Sequence, residues 1–586
     1  MASLTVRNIS VTPLELTRVE RFAFDSTPTH DGVPGGGFVG RLFWGLVRAP
    51  MSYLRSAGSC GDSGSDVGGV ALKARRGDAA PFLGREEIQD VHVGPFATRM
   101  TDVRAPDPEH EVLRLTFAAA FDRPGAGNGV DGGQEAPATT YRYYTVDVPA
   151  ASARSIELQP VDDDDDDEYD EGGRMVDGPV AAAAAAAFTA VYIPHGAHLA
   201  IMSSAALSSW MATVDGAWPL SSLSLPGTHN SPACHAALPS VRCQAVDVRT
   251  QLDNGARFLD VRVSVNPTRL GRVSGGGGGG ATAPRMALVH SAFSVSLTST
   301  RWFAELYAAV CAFLDAHPTE TVLLSVKREG TGWGTDADLA RQLLEYYTGG
   351  RPDRPSSSSS SAAAAAPTPT GKAEPWRWFT EPRIPRLDEV RGRIVLVRRF
   401  RLPDNDATFR QLHGGAGWGL DASTWPDNCA DGLSGSGLLR LQDFYEVTQA
   451  VNIDTKIRHV RALLEHAAST NFAKHDAAVV RTTAMYDGTA AAAAPSSHTP
   501  PLFLNFLSGS NFFNASCWPE RIAARVNPAV IEYLCMRHGE TAGGPAGMAV
   551  GDGSTGIVVT DWVGAKGDWD LIRCIVAWNA RLQLKP

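Results

Sequence analysis

The 586-residue sequence has no polybasic segment, no paired cysteines and no apolar run long enough to cross a bilayer. Each lack excludes something. Without clustered Lys and Arg there is no electrostatic footprint for nucleic acid. The eight cysteines, Cys60 to Cys574, show neither CxxC pairs nor metal-ligand spacing, which predicts reduced thiols. The most apolar early window, GFVGRLFWGLVRAPMSYL, is broken by Arg41 and Arg48 and predicts a buried segment. The opening MASLTVRNISVTPLELTRVERF alternates apolar and polar residues and has no secretory h-region. The expectation is a cytoplasmic protein with at most transient peripheral membrane contact, no signal peptide and no transmembrane helix.

What is present is ordinary for a globular chain, with 44% hydrophobic and 20% charged residues. The net charge of -10 is local, because nine acids lie in DDDDDDEYDE, Asp162 to Glu171. That run reads as a solvated loop. Alanine, serine and glycine tracts mark insertions at about 160–187, 266–285, 351–371 and 487–501. Residues 1–205 hold short alternating stretches such as SLTVRNISVTPLEL, VLRLTFAAAF and FTAVYIPHG, with little helical periodicity. They predict an all-β, sandwich-like domain.

After about residue 206 the pattern changes. SSLSLPGT, RFLDVRV, MALVH, TVLLSVK, RIVLVRR, LLRLQDFY, LFLNFLS and TGIVVTD alternate with amphipathic stretches such as STRWFAELYAAVCAFLDAH. Strands interleaved with helices over 206–586 predict a distorted (β/α)8 barrel of the TIM type. In such barrels chemistry gathers at the C-terminal strand ends. Those ends carry His229, Asp260 and Arg262, His290, Lys327, Arg398 or Arg399, Asp443 with Tyr445, and Asp561. Two histidines can act as general base and acid near neutral pH. A carboxylate fixes the tautomer of one, and a guanidinium matches a phosphate. The set points to transfer at a phosphodiester, with Lys327 adding charge stabilisation.

SLPGTHNS, QLDNGARFLDVRV, LVHSAF, LLSVKRE, RGRIVLVRRF, LQDFYEV, LFLNFLSGS and GIVVTDWV resemble, in order, the motifs of bacterial-type phosphatidylinositol-specific phospholipase C, a PLC-like phosphodiesterase of the X-domain superfamily. The resemblance covers about 206–586, and residues 1–205 have no counterpart in it. It implies cleavage of phosphatidylinositol-type lipids to diacylglycerol and a cyclic inositol phosphate. It implies His229 as base, His290 as acid, Arg262 as phosphate clamp and Asp561 as the carboxylate orienting the base, with Asp260 steadying the Arg. Lys327, Arg398, Asp443 and Tyr445 match positions lining the inositol pocket, Tyr445 as a platform under the ring.

Calcium-dependent relatives carry two acidic ligands one residue apart where this chain reads Asp260-Val261-Arg262. A guanidinium at the second position excludes a calcium ion, so no cofactor and no metal are expected. Asn230 departs from the Asp usual in the bacterial enzymes and matches the Asn of the calcium-dependent ones, so it hydrogen-bonds without supplying charge. Phe512, Phe513 and Trp518, after LFLNFLSGS, are candidates for contact with a membrane interface. The expected partner is phosphatidylinositol or a related phosphodiester lipid. The residues leave two other readings open: a metal-dependent glycerophosphodiester phosphodiesterase, and a catalytically silent inositol-lipid-binding adaptor.

Overall fold

The computed structural model describes residues 2–23, 82–107, 110–122, 139–148, 155–161, 187–265, 286–330, 334–348, 375–474, 499–540 and 551–585. The apolar window at 37–54, the acidic run and most of the low-complexity insertions lie outside the described residues.

The second half is built on parallel strands β1 (Leu225–Thr228), β2 (Phe258–Ser264), β3 (Val322–Arg328), β4 (Ile394–Arg399), β5 (Leu420–Asp421), β6 (Leu439–Gln442), β7 (Leu502–Phe506) and β8 (Ile557–Thr560). Each pairs with the next in parallel from β1 to β5 and from β6 to β8, and β8 pairs back onto β1. Between β5 and β6 no ladder joins the described residues. There Ser436 Oγ donates to the Asp421 carbonyl at 2.6 Å, bridging the seam. The sheet thus curls into a barrel open along one line.

Period-two alternation decides what faces inward. Phe258, Leu323, Val395, Val397, Leu441 and Val559 fill the barrel interior. Leu259, Val261, Leu324, Val326, Ile394 and Leu396 face outward to the covering helices. Among these helices are α1 (Val248–Asp253), α2 (Phe303–Ala316), α3 (Asp336–Tyr346), α4 (Asn452–Ser469), α5 (Pro519–Met536) and α6 (Asp570–Ala577). In α4, buried Ile453, Val460, Leu463, Leu464 and Ala467 recur at helical spacing, so one face packs on the sheet. Helix α5 starts with Pro519 at its first position, where the missing N–H costs no helical bond.

The structure corrects one expected stave. MALVH does not run parallel in the barrel. Ala287–His290 lies antiparallel on β2, with Val263 opposite Leu288, and turns back into Phe293–Ser294. A parallel neighbour needs a crossover, commonly a helix, and the sequence between β2 and MALVH holds the glycine run instead. The stave that sequence reading lacked comes from two dipeptides on one edge of β4. Trp378–Phe379 pairs with its start and Leu420–Asp421 with its end.

In the first half, a five-stranded sheet runs in the order Thr98–Arg104, Ser3–Ile9, His198–Ser203, Phe188–Ile193, Ile156–Glu157. A second sheet runs Phe82–Glu87, Leu14–Ala23, Glu111–Asp122, Thr139–Val148, Gln159–Pro160. The two share an apolar core that includes Leu4, Leu16, Leu115, Phe117, Phe188 and Leu199. The alternate residues Ala200 and Met202 face the other way and pack with Val530, Leu534 and Ile575 of α5 and α6.

Candidate active site

The same alternation that fills the barrel with apolar side chains delivers the polar ones at its rim. On β2, Phe258 points in, so Asp260 and Arg262 do too. After β1 and β8 the inward positions fall on His229 and Asp561, and after β6 on Asp443. Thr228 pairs with both Leu259 and Thr560, so His229, Asp260 and Asp561 sit at one level of the rim.

His229 Nδ1 and Asp561 Oδ1 are 2.9 Å apart, and both groups are buried. Burial pushes the Asp561 carboxyl up, a shift offset in part by His229. With the carboxylate ionised, Nδ1–H donates to it and Nε2 is left with a lone pair, the state a general base needs. Gln244 Nε2 holds the strand ends on both sides, donating to the carbonyls of His229 at 2.7 Å and Thr560 at 2.9 Å. Asn527 Nδ2 donates to the Asp561 carbonyl at 3.0 Å.

The second imidazole, His290, faces the first edge-to-face with ring centroids 5.4 Å apart. Its Nδ1 lies 3.1 Å from the Val241 carbonyl, so Nδ1–H donates and Nε2 carries the free lone pair. Burial, then the charges of Arg262 and His229, push it down to about 3. His290 is therefore neutral at pH 7 in this state.

Arg262 is held from both sides. Its Nε and Nη2 each lie 3.1 Å from Asp260 Oδ2, and Nη1 lies 3.2 Å from Glu329 Oε1. Burial alone would lower its pKa, but Asp260, Glu329 and Asp443 outweigh that and raise it. Burial would likewise raise Asp260, yet Arg262 and Arg399 hold its carboxyl well below the usual range. Lys327 joins the network through Nζ at 2.7 Å from Glu329 Oε1. Asn230 is fully buried at a φ of +36°; its backbone N–H donates to Asp260 Oδ2 at 3.2 Å. Its side-chain Oδ1 and Nδ2 have no hydrogen-bond partner.

Arg398 is not brought to the site. It points outward and is spent on the Trp418 carbonyl at 2.9 Å and Asp421 Oδ2 at 2.6 Å. Arg399 takes the inward position, with Nη1 3.1 Å from Asp260 Oδ1 and its guanidinium 3.6 Å above the Trp425 ring. Trp425 Nε1 in turn donates to Asp443 Oδ2 at 3.0 Å. Tyr445 stands half-buried nearby, its hydroxyl donating to Asp427 Oδ1 at 2.9 Å. Phe512 stacks on Phe293 at 6.2 Å, Phe513 is 94% exposed, and the half-buried Trp518 donates to the Phe512 carbonyl at 3.4 Å. Arg399 and Glu329 were legible from parity: counting by twos from Val395 and Val397 reaches Arg399, and from Lys327 reaches Glu329. Trp425, Gln244 and Cys243, the last with Sγ 3.5 Å from His290 Nδ1, come from loops without periodic signal.

An imidazole pair, a carboxylate bonded to one of the two rings and a buried guanidinium meet at the rim of an α/β barrel, an arrangement that can exchange protons beside an anion. The chain is similar to two curated proteins named 1-phosphatidylinositol phosphodiesterase, from Staphylococcus aureus strains Newman and NCTC 8325 / PS 47. Each is 22% identical over 382 residues, which is 63% of this chain and 93% and 88% of theirs. Among solved structures, a double mutant of the phosphatidylinositol-specific phospholipase C from S. aureus covers 64% of this chain and 97% of its own, at 18% identity and TM-score 0.42. The phosphatidylinositol-specific phospholipase C from Listeria monocytogenes covers 64% and 98%, at 16% identity and TM-score 0.38. No family model matches the chain.

Proposed function

We propose that this protein is a metal-independent phosphatidylinositol-specific phospholipase C. The observation that carries the proposal is the His229–Asp561 pair set across from His290, with Arg262 charged beside both. In this reading His229 Nε2 takes the proton of the inositol 2-hydroxyl. That oxygen bonds to phosphorus and the bond to the glyceride oxygen breaks. The departing oxygen takes a proton from His290 Nε2. Diacylglycerol and a cyclic inositol phosphate are the products. His290 needs a proton for this step, and an anionic phosphodiester beside Arg262 offsets the guanidinium's repulsion and favours it. The names of the curated relatives support the substrate class.

Metal independence is supported by the donor set. Both oxygens of Asp260 are engaged by Arg399 and Arg262, which leaves no carboxylate pair for calcium. In the same reading Lys327, Glu329, Arg399, Asp443 and Tyr445 line the inositol pocket. Phe512 and Phe513 touch the lipid interface, and the two sheets described within 1–205 form a β-sandwich-like domain, packed on α5 and α6, of a cytoplasmic, peripherally bound protein. Among the described residues no helix is long and apolar enough to cross a membrane.

The test is an assay on phosphatidylinositol vesicles in EDTA. Cyclic inositol phosphate is expected, and it is expected to vanish with His229→Ala. Product only on adding metal, or none under either condition, overturns the proposal in favour of a metal-dependent phosphodiesterase or a silent lipid-binding protein.

A further inference from the structure

Among the described residues, Cys243 is a nucleophilic group at the rim without a role in the proposed reaction. Cys243 is fully buried directly under the acid–base pair. One ligand atom from each of His229, Cys243 and His290 lies within 4.8 Å of the other two, and all three residues are buried. We propose that these residues form a binding site for a borderline-soft divalent cation, zinc above all, and that an ion held there switches the acid–base pair off.

The donor set selects the ion. Two imidazole nitrogens and a thiolate suit zinc, whereas calcium and magnesium require oxygen ligands. Zinc holds nitrogen at about 2.0–2.1 Å and sulfur at about 2.3 Å, so two ligands on one tetrahedral ion stand about 3.5 Å apart. Cys243 Sγ and His290 Nδ1 already have that spacing, 3.5 Å, and Nδ1 ligates once its proton moves to Nε2 and its bond to the Val241 carbonyl is given up. The remaining separations, within 4.8 Å, have to close by side-chain rotation. Asp561 on Nδ1 of His229 supplies the carboxylate–histidine pairing that orients metal-bound imidazoles and leaves Nε2 for the ion. Burial, then Asp561, Asp260 and Glu329, push the Cys243 thiol well above its usual range, so the ion has to displace the thiol proton; the same three carboxylates offset the repulsion of Arg262 on a cation.

Binding breaks the S–H bond of Cys243 and releases its proton to solvent, while both imidazoles bind as neutral rings. No electron is transferred. An ion on Nε2 of His229 removes the lone pair that the proposed reaction needs, so the site is inhibitory.

Only the activity readout rests on the proposed phospholipase reaction; a spectroscopic readout does not. The full chain is titrated with Co2+ alone and, separately, assayed on phosphatidylinositol vesicles over a range of free Zn2+. The expected result is a thiolate-to-cobalt charge-transfer band with tetrahedral visible bands, absent in Cys243→Ser. Zn2+ is expected to inhibit reversibly, with EDTA restoring the rate. Cys243→Ser should raise the half-inhibitory Zn2+ concentration at least tenfold, each protein being scaled to its own metal-free rate. Absence of the thiolate band in the unmodified protein overturns the proposal, and so does equal Zn2+ sensitivity of the variant. If Cys243→Ser does not fold, the band in the unmodified protein and its loss in Cys243→Ala decide. A chain without phosphatidylinositol cleavage overturns the phospholipase reading while the cobalt spectrum still decides the metal site.

Discussion

At the scale of single residues, two substitutions separate a chemical role from a structural one. Asp561→Asn keeps the shape of the carboxylate but can donate to Nδ1, which places the proton on the wrong nitrogen of His229. Loss of the orienting carboxylate in a triad of this kind costs about 10⁴ in kcat. Turnover of Asp561→Asn is therefore expected to fall by about 10³–10⁴ with little change in thermal stability; a fall under tenfold would show that Asp561 does not set the tautomer. The adjacent arginines of β4 give the second contrast. Arg399→Ala removes a charge that reaches Asp260 inside the barrel and is expected to lower kcat/KM at least a hundredfold. Arg398→Ala strips the outward bonds to the Trp418 carbonyl and Asp421, and should lower Tm while kcat/KM stays within a fewfold. Steady-state kinetics and melting curves on the pair check both, and the reverse pattern would exchange their assignments.

At the scale of elements, alternation explains both what the sequence made legible and what it hid. Each stave with two or more inward residues announces its rim residue by counting in twos, as Leu439 and Leu441 lead to Asp443. That logic also favours Arg399 over Arg398, a distinction that pattern-matching on RIVLVRR alone does not make. The fifth stave escaped because two-residue strands have no period. MALVH misled because an apolar tetrapeptide has no direction: it is equally good as a parallel stave or as the antiparallel flap that it is. Nothing periodic marks Cys243 or Trp425, whose places depend on loop closure. The first strand carries its own constraint at Gly227, where an added Cβ would meet the Phe258 Cβ at 2.9 Å and its carbonyl oxygen at 3.1 Å. Gly227→Ala is thus expected to destabilise by about 1–3 kcal/mol through overpacking, measured as a shift of the urea midpoint at unchanged slope. Farther out, Phe513 buries almost nothing in the fold. Inserting a Phe into an interface is worth about 1.5–3 kcal/mol, so Phe513→Ser should weaken binding to phosphatidylinositol vesicles about tenfold or more at unchanged Tm. Equal binding by centrifugation assay would remove this loop from the membrane contact.

At the scale of the whole molecule, the outer face of the five-stranded sheet and the helices α5 and α6 are joined by buried polar groups as well as by apolar packing. Arg7 donates to the carbonyls of Cys535 and His538. His198 Nε2 lies 3.2 Å from the Cys535 carbonyl, and His538 Nε2 lies 3.0 Å from the Gly553 carbonyl. Each ring therefore donates as a neutral imidazole. Burial, reinforced by Arg7, pushes His198 down to about 4 and His538 down to about 3. In the unfolded chain both return to about 6.5. Between those values the unfolded state binds more protons than the folded one, so stability falls as pH falls. The contribution of each neutral ring is complete above about pH 6.5 and is lost progressively down to about pH 4 for His198 and pH 3 for His538. At pH 5 the loss is about 2 kcal/mol per histidine, from 1.36 kcal/mol per pH unit. Buried His290 at the rim adds to it in the same direction. The expected outcome is a marked drop in unfolding free energy between pH 7 and pH 5. His198→Gln with His538→Gln, which keeps an N–H donor without a titrating ring, should remove about 4 kcal/mol of that drop, the sum for the two rings. Urea unfolding at the two pH values measures it. An unchanged slope in the double variant would mean that the acid sensitivity arises elsewhere and that the junction between sheet and barrel does not depend on neutral histidines.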